Sequence, residues 1–372
     1  MKKLLIATDG FLPRWDGIVR FLLEIVPRLE DAYEIRILAP KFDGDYHNPF
    51  KSEVIRFDLV DIPFGDIQFS KVRQKALKKY VQWADLLFVQ SLGSLGMGCI
   101  KAAKKETKPI VAFLHLIEWE LATKSIKHFK KPSRILTHFI ARRYYSKCDL
   151  LMCASEEVAL MYEKKGIRVP KKIVSLGTDT GYFKPPDDKA EAKKKIGIDP
   201  EDRVIGYHGR IGREKDLITL YRAFRRVEKR NPNVKLMIIG KGVKDVEEMF
   251  SSDRNIILPG SKRDVAPYLQ AMDIYVMPSL TETTSLSALE AMATGLAVIA
   301  TPTGSVKECI EERENGMIFP FRNSMRLSMK IEKLLNDRHL REKIGINARQ
   351  TIKNNFSWEK TYSEVKETLD NF

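Results

Sequence analysis

Two acids stand eight residues apart in the stretch PSLTETTSLSALEAMATGLAVIATP, Pro278–Pro302: Glu282 and Glu290. Ahead of them, Arg210 and Lys215 flank the glycine-containing turn HGRIGREKDL, and earlier still His115 follows the apolar run VAFL. Two cations beside a helix amino terminus make a pyrophosphate site. Acids beside such a terminus point to a ligand that carries both hydroxyls and phosphate. Between the acids, Thr283, Thr284, Ser285 and Leu286 can offer backbone amides to a phosphate or a sugar hydroxyl. His115, at a strand's carboxyl end, is placed to touch a substrate hydroxyl or phosphate. Each also fits a plainer role: Glu282 as a helix cap, Glu290 on a solvated helix face, His115 as a hydrogen-bonded strand terminus.

The elements that must position these residues alternate. Leu4–Thr8 reads as a strand, FLPRWDG as a loop, and Ile18 through Leu29 as an amphipathic helix, with Gly17 where backbone could approach a ligand. Strands follow at Ile35–Leu38, Val54–Phe57, Leu86–Val89 and Ile110–Leu114, with helices over roughly Val72–Trp83 and Ser94–Lys105. The pattern restarts at Val204–Tyr207 and runs through Ile274–Met277 and Ala297–Ala300. Short buried strands between helical patterns predict doubly wound α/β domains, which bind ligands outside the carboxyl ends of their strands. At 372 residues and about 150 per domain, the length predicts two of them, with three as the alternative. The first loop lacks the Gly-x-Gly-x-x-Gly fingerprint, which speaks against a nicotinamide enzyme.

Net charge is +15, with 64 basic and 49 acidic residues, and calls for a polyanionic partner. The charge is concentrated. From Leu121 to Lys147 no Asp or Glu occurs, while Lys124, Lys127, Lys130, Lys131, Arg134, Arg142, Arg143 and Lys147 do. Ile126, Phe129, Ile135, Leu136, Phe139 and Ile140 are interleaved at near-helical spacing, the pattern of a segment that lies on an anionic membrane surface. The plainer alternative turns that apolar stripe to the core and leaves the lysines solvated. Nucleic acid is disfavoured as a partner, since no reading motif accompanies the charge. Cys99, Cys148, Cys153 and Cys309 have no zinc-like spacing and no disulfide framework. No signal peptide precedes the first strand and no run approaches ~20 apolar residues, so the chain reads as intracellular, soluble or peripheral to a membrane.

Taken together, the motifs PRWDGIVR, HGRIGREKDL, LGTDTGYFKP, LEAMATGLAVIAT with Glu282 ahead of it, and the late FSWE resemble glycosyltransferase family 4. They span nearly the whole chain in family order. The resemblance implies a GT-B fold: two Rossmann-like doubly wound domains facing across a donor-binding cleft. It implies an acceptor domain over 1–180, a nucleotide-sugar domain over 181–355, and a terminal helix, about 356–372, packed back on the first. By the same resemblance Arg210 and Lys215 bind the donor diphosphate and Glu290 the ribose hydroxyls. Glu282 and the amides after it face the transferred sugar, and His115 touches that sugar near the reaction centre.

The implied enzyme is a retaining hexosyltransferase using a UDP- or GDP-sugar, with no metal or other cofactor required. Two departures bear on its substrates. Where the family often reads Glu-Gly-Phe-Gly-Leu, this chain reads Glu282-Thr283-Thr284-Ser285-Leu286, which puts hydroxyls near the sugar. Asp16-Gly17 replaces a common Gly-Gly, as in members that glycosylate lipids. With the basic segment, this gives the leading expectation: a lipid or lipid-linked acceptor at the cytosolic membrane face, with Lys127, Lys130, Lys131, Arg134, Arg142 and Arg143 binding the membrane. The alternatives are a soluble transferase acting on a sugar, sugar phosphate or polysaccharide, and a UDP-sugar epimerase.

Overall fold

A computed structural model describes residues 1–61, 68–125, 129–251 and 253–372. The chain divides into two compact units, Met1–Leu176 with Trp358–Phe372, and Gly177–Ser357.

The first unit begins β1 (Lys2–Ala7), α1 (Gly17–Leu29), β2 (Tyr33–Pro40), β3 (Glu53–Phe57), α2 (Gln74–Trp83) and β4 (Leu86–Val89). It continues α3 (Ser94–Lys105), β5 (Ile110–Leu114), α4 (Glu118–Ser125), α5 (Lys130–Tyr145), β6 (Leu150–Cys153), α6 (Glu156–Lys164) and β7 (Lys171–Ile173). Its strands form one parallel sheet in the order β3-β2-β1-β4-β5-β6-β7. The central strands are apolar on both faces because helices cover both: every residue of β4 and β5 is buried. Two helix amino termini at the carboxyl edge are closed by the chain's own carboxylates. Asp16 accepts from Val19 N at 2.9 Å and caps α1, so the acid that departs from the family's glycine has a local structural reason. Asp9 accepts from the backbone N–H groups of Gly93, Leu95 and Gly96 at 2.8, 2.9 and 3.1 Å and so fills the start of α3.

The second unit runs α7 (Lys189–Lys195), β8 (Arg203–His208), α8 (Leu217–Glu228), β9 (Val234–Ile239), α9 (Lys244–Glu247), β10 (Ile256–Gly260) and α10 (Ala266–Ala271). There follow β11 (Ile274–Met277), α11 (Leu286–Ala293), β12 (Ala297–Ala300), α12 (Ser305–Cys309), β13 (Met317–Ile318), α13 (Ser324–Asn336) and α14 (Arg338–Asn355). Its parallel sheet has the order β10-β9-β8-β11-β12-β13, so the order reverses between β8 and β11. That reversal is where an open α/β sheet leaves a crevice at its carboxyl edge. The last helix, α15 (Trp358–Asp370), belongs to the first unit and packs on α1. The expected pair of Rossmann-like halves is present.

The basic segment is a hairpin of two helices, not one continuous helix. α4 ends at Ser125, and Phe129 takes a left-handed conformation (φ 57°) at the start of α5. Pro132 sits in the first turn of α5, where no intrahelical N–H is needed. Toward the core, α5 buries Ala141 and Tyr145. Below them Glu118 accepts hydrogen bonds from Tyr145 Oη (2.7 Å) and Tyr162 Oη (2.6 Å), tying the hairpin to α6. Burial raises the pKa of this carboxyl above its ordinary value.

Candidate functional site

The second unit concentrates the sequence-selected residues at the switch between β8 and β11. Past β8, the chain turns through Gly209 (φ 137°) and a short 3-10 turn, Arg213–Lys215, into α8. Glycine is required opposite this turn. A Cβ on Gly240, which follows β9 at φ 141°, would meet the Gly209 carbonyl oxygen at 2.0 Å. The turn presents Arg210 and Lys215. Arg210 pairs with the buried Glu214. Glu214 in turn fastens the neighbouring loop, because its carbonyl accepts from Leu280 N at 2.8 Å.

That neighbouring loop, 278–285, carries Glu282, whose Oε1 stands 2.7 Å from Lys215 Nζ. The helix cap is Ser285, whose side chain accepts from Ala288 N, so Glu282 is left to the lysine. A second glycine holds this loop. A Cβ on Gly304 would lie 2.6 Å from the Glu282 carbonyl and 2.5 Å from that of Thr283, and Ser305 N donates to Thr283 O. Thr283 and Ser285 are buried, while Thr284 and Leu286 are partly so. Their hydroxyls are thereby embedded in the loop rather than displayed on it.

Glu290, in the second turn of α11, is not a solvated helix residue. Its Oε2 lies 2.7 Å from Nε2 of His208, the last residue of β8, and its side chain is only 13% exposed. Arg210 with Glu214, Lys215 with Glu282, and His208 with Glu290 thus form three ion or hydrogen-bonded pairs at one sheet edge.

In the first unit, His115 follows β5 directly. Its Nε2 is 2.9 Å from Oε1 of Gln90, the residue after β4. The ring stacks on Phe113 (centroids 4.4 Å apart) and meets the edge of Phe21 at 4.9 Å. Desolvation pushes its pKa down to about 3, so the imidazole is neutral at physiological pH, and because Nε2 faces the Gln90 oxygen, Nε2 carries the hydrogen and donates. Gly17 is the first residue of α1 and is exposed.

Sequence reasoning missed Gln90, His208 and Glu214. The first two carry the signal that singled out His115: a polar residue at the carboxyl end of an apolar strand. Glu214 carried no comparable signal, since its partner is an arginine on its own turn.

Of the membrane set, Lys130, Lys131, Arg142 and Arg143 are exposed on α5, and Lys127 lies outside the described residues. Arg134 is exposed too but is held by Glu120 of α4 at 3.3 Å. The apolar stripe points outward: Phe129 is 82% exposed, Ile135 71%, Leu136 58% and Phe139 60%. Core packing does not account for it. Among the described residues no helix is long and apolar enough to cross a membrane. No group of three or more His, Cys, Asp or Glu among them is arranged to hold a metal.

Comparison with known proteins agrees with both halves. Residues 15–182 match the model described as Glycosyltransferase Family 4, and residues 188–351 the one described as Glycosyl transferases group 1. Over 326 residues, covering 84% of this chain and 74% of the relative, it is 24% identical to the alpha-monoglucosyldiacylglycerol synthase of Streptococcus pneumoniae. It is 26% identical to the sulfoquinovosyl transferase SQD2 of Arabidopsis thaliana, over 76% of this chain and 56% of that one. Among solved structures, Anabaena HepE in complex with UDP-glucose superposes over the whole of both chains with a TM-score of 0.81 at 19% identity. That likeness is one of fold.

Proposed function

With its two halves matched in order by these two models, the chain belongs to glycosyltransferase family 4, and we propose that it is a retaining hexosyltransferase that glycosylates a lipid at an anionic membrane face. The observation that carries the catalytic reading is the set Arg210, Lys215, Glu282 and Glu290 at the switch point of the second sheet. Phosphate binding is assigned to this unit on electrostatic grounds. In the first unit Asp16 and Asp9 accept the backbone N–H groups at the starts of α1 and α3, whereas Asp216, the N-cap residue of α8, makes no such side-chain bond and Arg210, Arg213 and Lys215 precede that helix. The donor is a UDP- or GDP-sugar, and the complex of HepE with UDP-glucose favours UDP.

In this reading Arg210 and Lys215 hold the diphosphate, Glu290 the ribose hydroxyls, and Glu282 with the amides of 283–286 the hexose. The bond from the anomeric carbon to the diphosphate oxygen breaks as a bond to the acceptor oxygen forms on the same face. The acceptor proton passes to the departing phosphate, so no protein base is called for. Negative charge developing on the diphosphate is met by the two cations, positioned beforehand by Glu214 and Glu282, and the reading calls for no metal. Neutral His115, oriented by Gln90, serves the sugar as a hydrogen-bonding group.

Lipid as acceptor is supported by the outward apolar stripe of α5 with Lys130, Lys131, Arg142 and Arg143 beside it, and by the diacylglycerol in the name of the Streptococcus pneumoniae relative. Each cation at an anionic leaflet adds about 1 kcal/mol, enough for four to hold the protein reversibly on the cytosolic face.

The test offers UDP-glucose, UDP-galactose, UDP-N-acetylglucosamine and GDP-mannose with diacylglycerol in anionic vesicles, and reads the product's anomeric configuration by NMR. A glycolipid with the donor's own configuration is expected. No transfer or hydrolysis from any donor removes the catalytic reading, an inverted product removes retention, and transfer to water-soluble acceptors alone removes the lipid. Changing Lys130, Lys131, Arg142 and Arg143 to Glu should abolish sedimentation with the vesicles, and unchanged sedimentation would overturn the membrane role.

A further inference from the structure

His208 ends β8 with 6% of its surface exposed, and its Nε2 lies 2.7 Å from Glu290 Oε2. The ring is itself held. Tyr275 packs edge-on at 5.4 Å and 62°, and Tyr275 Oη donates to the His208 carbonyl at 3.2 Å. Nδ1 is buried without a partner, whereas Nε2 has one. The hydrogen therefore belongs on Nε2, because a bare lone pair is the cheaper orphan than an N–H. His208 donates and Glu290 accepts. Among the described residues, the other oxygen of Glu290, Oε1, takes no hydrogen bond.

A glutamate on a helix has rotamer freedom to lose when it grips a ligand. A buried imidazole already bound to one carboxylate oxygen removes that cost in advance and fixes the direction of the second oxygen. We propose that His208 is a positioning residue that aims Glu290 Oε1 at the donor's ribose diol and thereby makes the site selective for ribonucleotide over deoxyribonucleotide sugars. This rests on the reading of Glu290 as the ribose ligand. A site built around a hydroxyl rejects the analogue that lacks it, because its own polar group is then left unpaired. His208 donates to the residue that grips the ribose and not to the reacting atoms, so the effect falls on donor affinity and leaves kcat at saturating donor little changed.

The experiment is titration calorimetry of the full chain with UDP and with 2′,3′-dideoxy-UDP. His208→Phe keeps a ring against Tyr275 and loses the donor, and His208→Gln keeps an N–H that can reach Glu290. The wild type is expected to favour UDP by roughly tenfold or more. His208→Phe should bring the two ligands within about twofold, and His208→Gln should recover most of the preference. Pyrophosphate, which has no ribose, should bind all three alike. Should His208→Phe not fold, His208→Asn, too short to span the gap, carries the same expectation. A variant that folds without the donor and keeps the wild-type preference overturns the role of His208 alone. A wild type indifferent to the diol overturns it together with the assignment of Glu290.

Discussion

Lys215 and Glu282 are mostly covered, at 21% and 11% side-chain exposure, and hold each other at 2.7 Å. Lys215→Ala should therefore do two things. In the proposed reading Lys215 binds the diphosphate, and losing that charge-assisted bond, about 1.5–3 kcal/mol, lowers UDP affinity by roughly tenfold or more in calorimetry. The orphaned Glu282 costs about 1–3 kcal/mol of stability, seen as a lower unfolding midpoint without loss of the fold. His115 makes a prediction about pH. Desolvation holds its pKa at about 3, against ~6.5 in the unfolded chain. Its imidazole nitrogens should therefore not titrate between about pH 5 and 8 in NMR. As pH falls from about 6.5 toward 3, the unfolded chain binds this proton first, so stability falls across that window by more in the wild type than in His115→Asn. A protonation midpoint near 6.5 for His115 would refute the burial argument. These residues could be picked from the sequence because their types stand out at strand ends. Gln90 and His208 stand at strand ends too, but what they contact could not be read: Gln90 meets His115 across neighbouring strands and His208 meets Glu290 on α11, and strand order is a long-range property that spacing does not encode.

At the scale of elements, the strands were legible because burial on both faces leaves runs such as LLFV and IVAFL that no amphipathic helix would carry. The segment 121–147 was legible only in part. Its charge was plain, but its break at Phe129 depends on a left-handed residue that phenylalanine does not advertise. Which way its apolar residues point depended on the core beneath, where Ala141 and Tyr145 are the residues taken up. This separation gives a clean mutational contrast. Leu136→Ser with Phe139→Ser removes side chains that are 58% and 60% exposed, and stability should stay within about 0.5 kcal/mol. Binding to anionic vesicles should nevertheless weaken by roughly tenfold or more, since each side chain immersed in the interface contributes about 1 kcal/mol or more. Tyr145→Ala, on the buried side, should do the reverse. It cuts the bond to Glu118 and empties a core position, costing about 3–5 kcal/mol in denaturant unfolding. Equal effects of the two changes on stability would mean that the stripe is packed after all.

At the scale of the whole molecule, the chain's last helix is assigned to the unit that holds its first strand. From the residues alone α15 is an amphipathic helix, and such a stripe states that it must be covered without saying by what. The contacts supply the answer. Trp358, Val365 and Leu369 are buried, Thr361 Oγ1 donates to Ser175 O at 2.7 Å, Tyr33 bonds Asp370, and Arg28 pairs with Glu359 at 3.5 Å. Three large apolar side chains at about 1.5–3 kcal/mol each amount to roughly 5–9 kcal/mol, against about 5–15 kcal/mol for the stability of a typical domain. A chain ending at Ser357 should thus lose most of the stability of its first unit while the second, with its own two hydrophobic clusters, stands. Limited proteolysis and hydrogen exchange should find β1 and α1 unprotected. Because Arg210, Lys215 and Glu290, the proposed UDP ligands, all lie in the second unit, UDP should still raise the melting point of what remains folded. Retained protection of β1 would show that α15 adds little to the first unit's stability. Lost UDP stabilisation would show that the second unit's site needs more of the chain than its own residues.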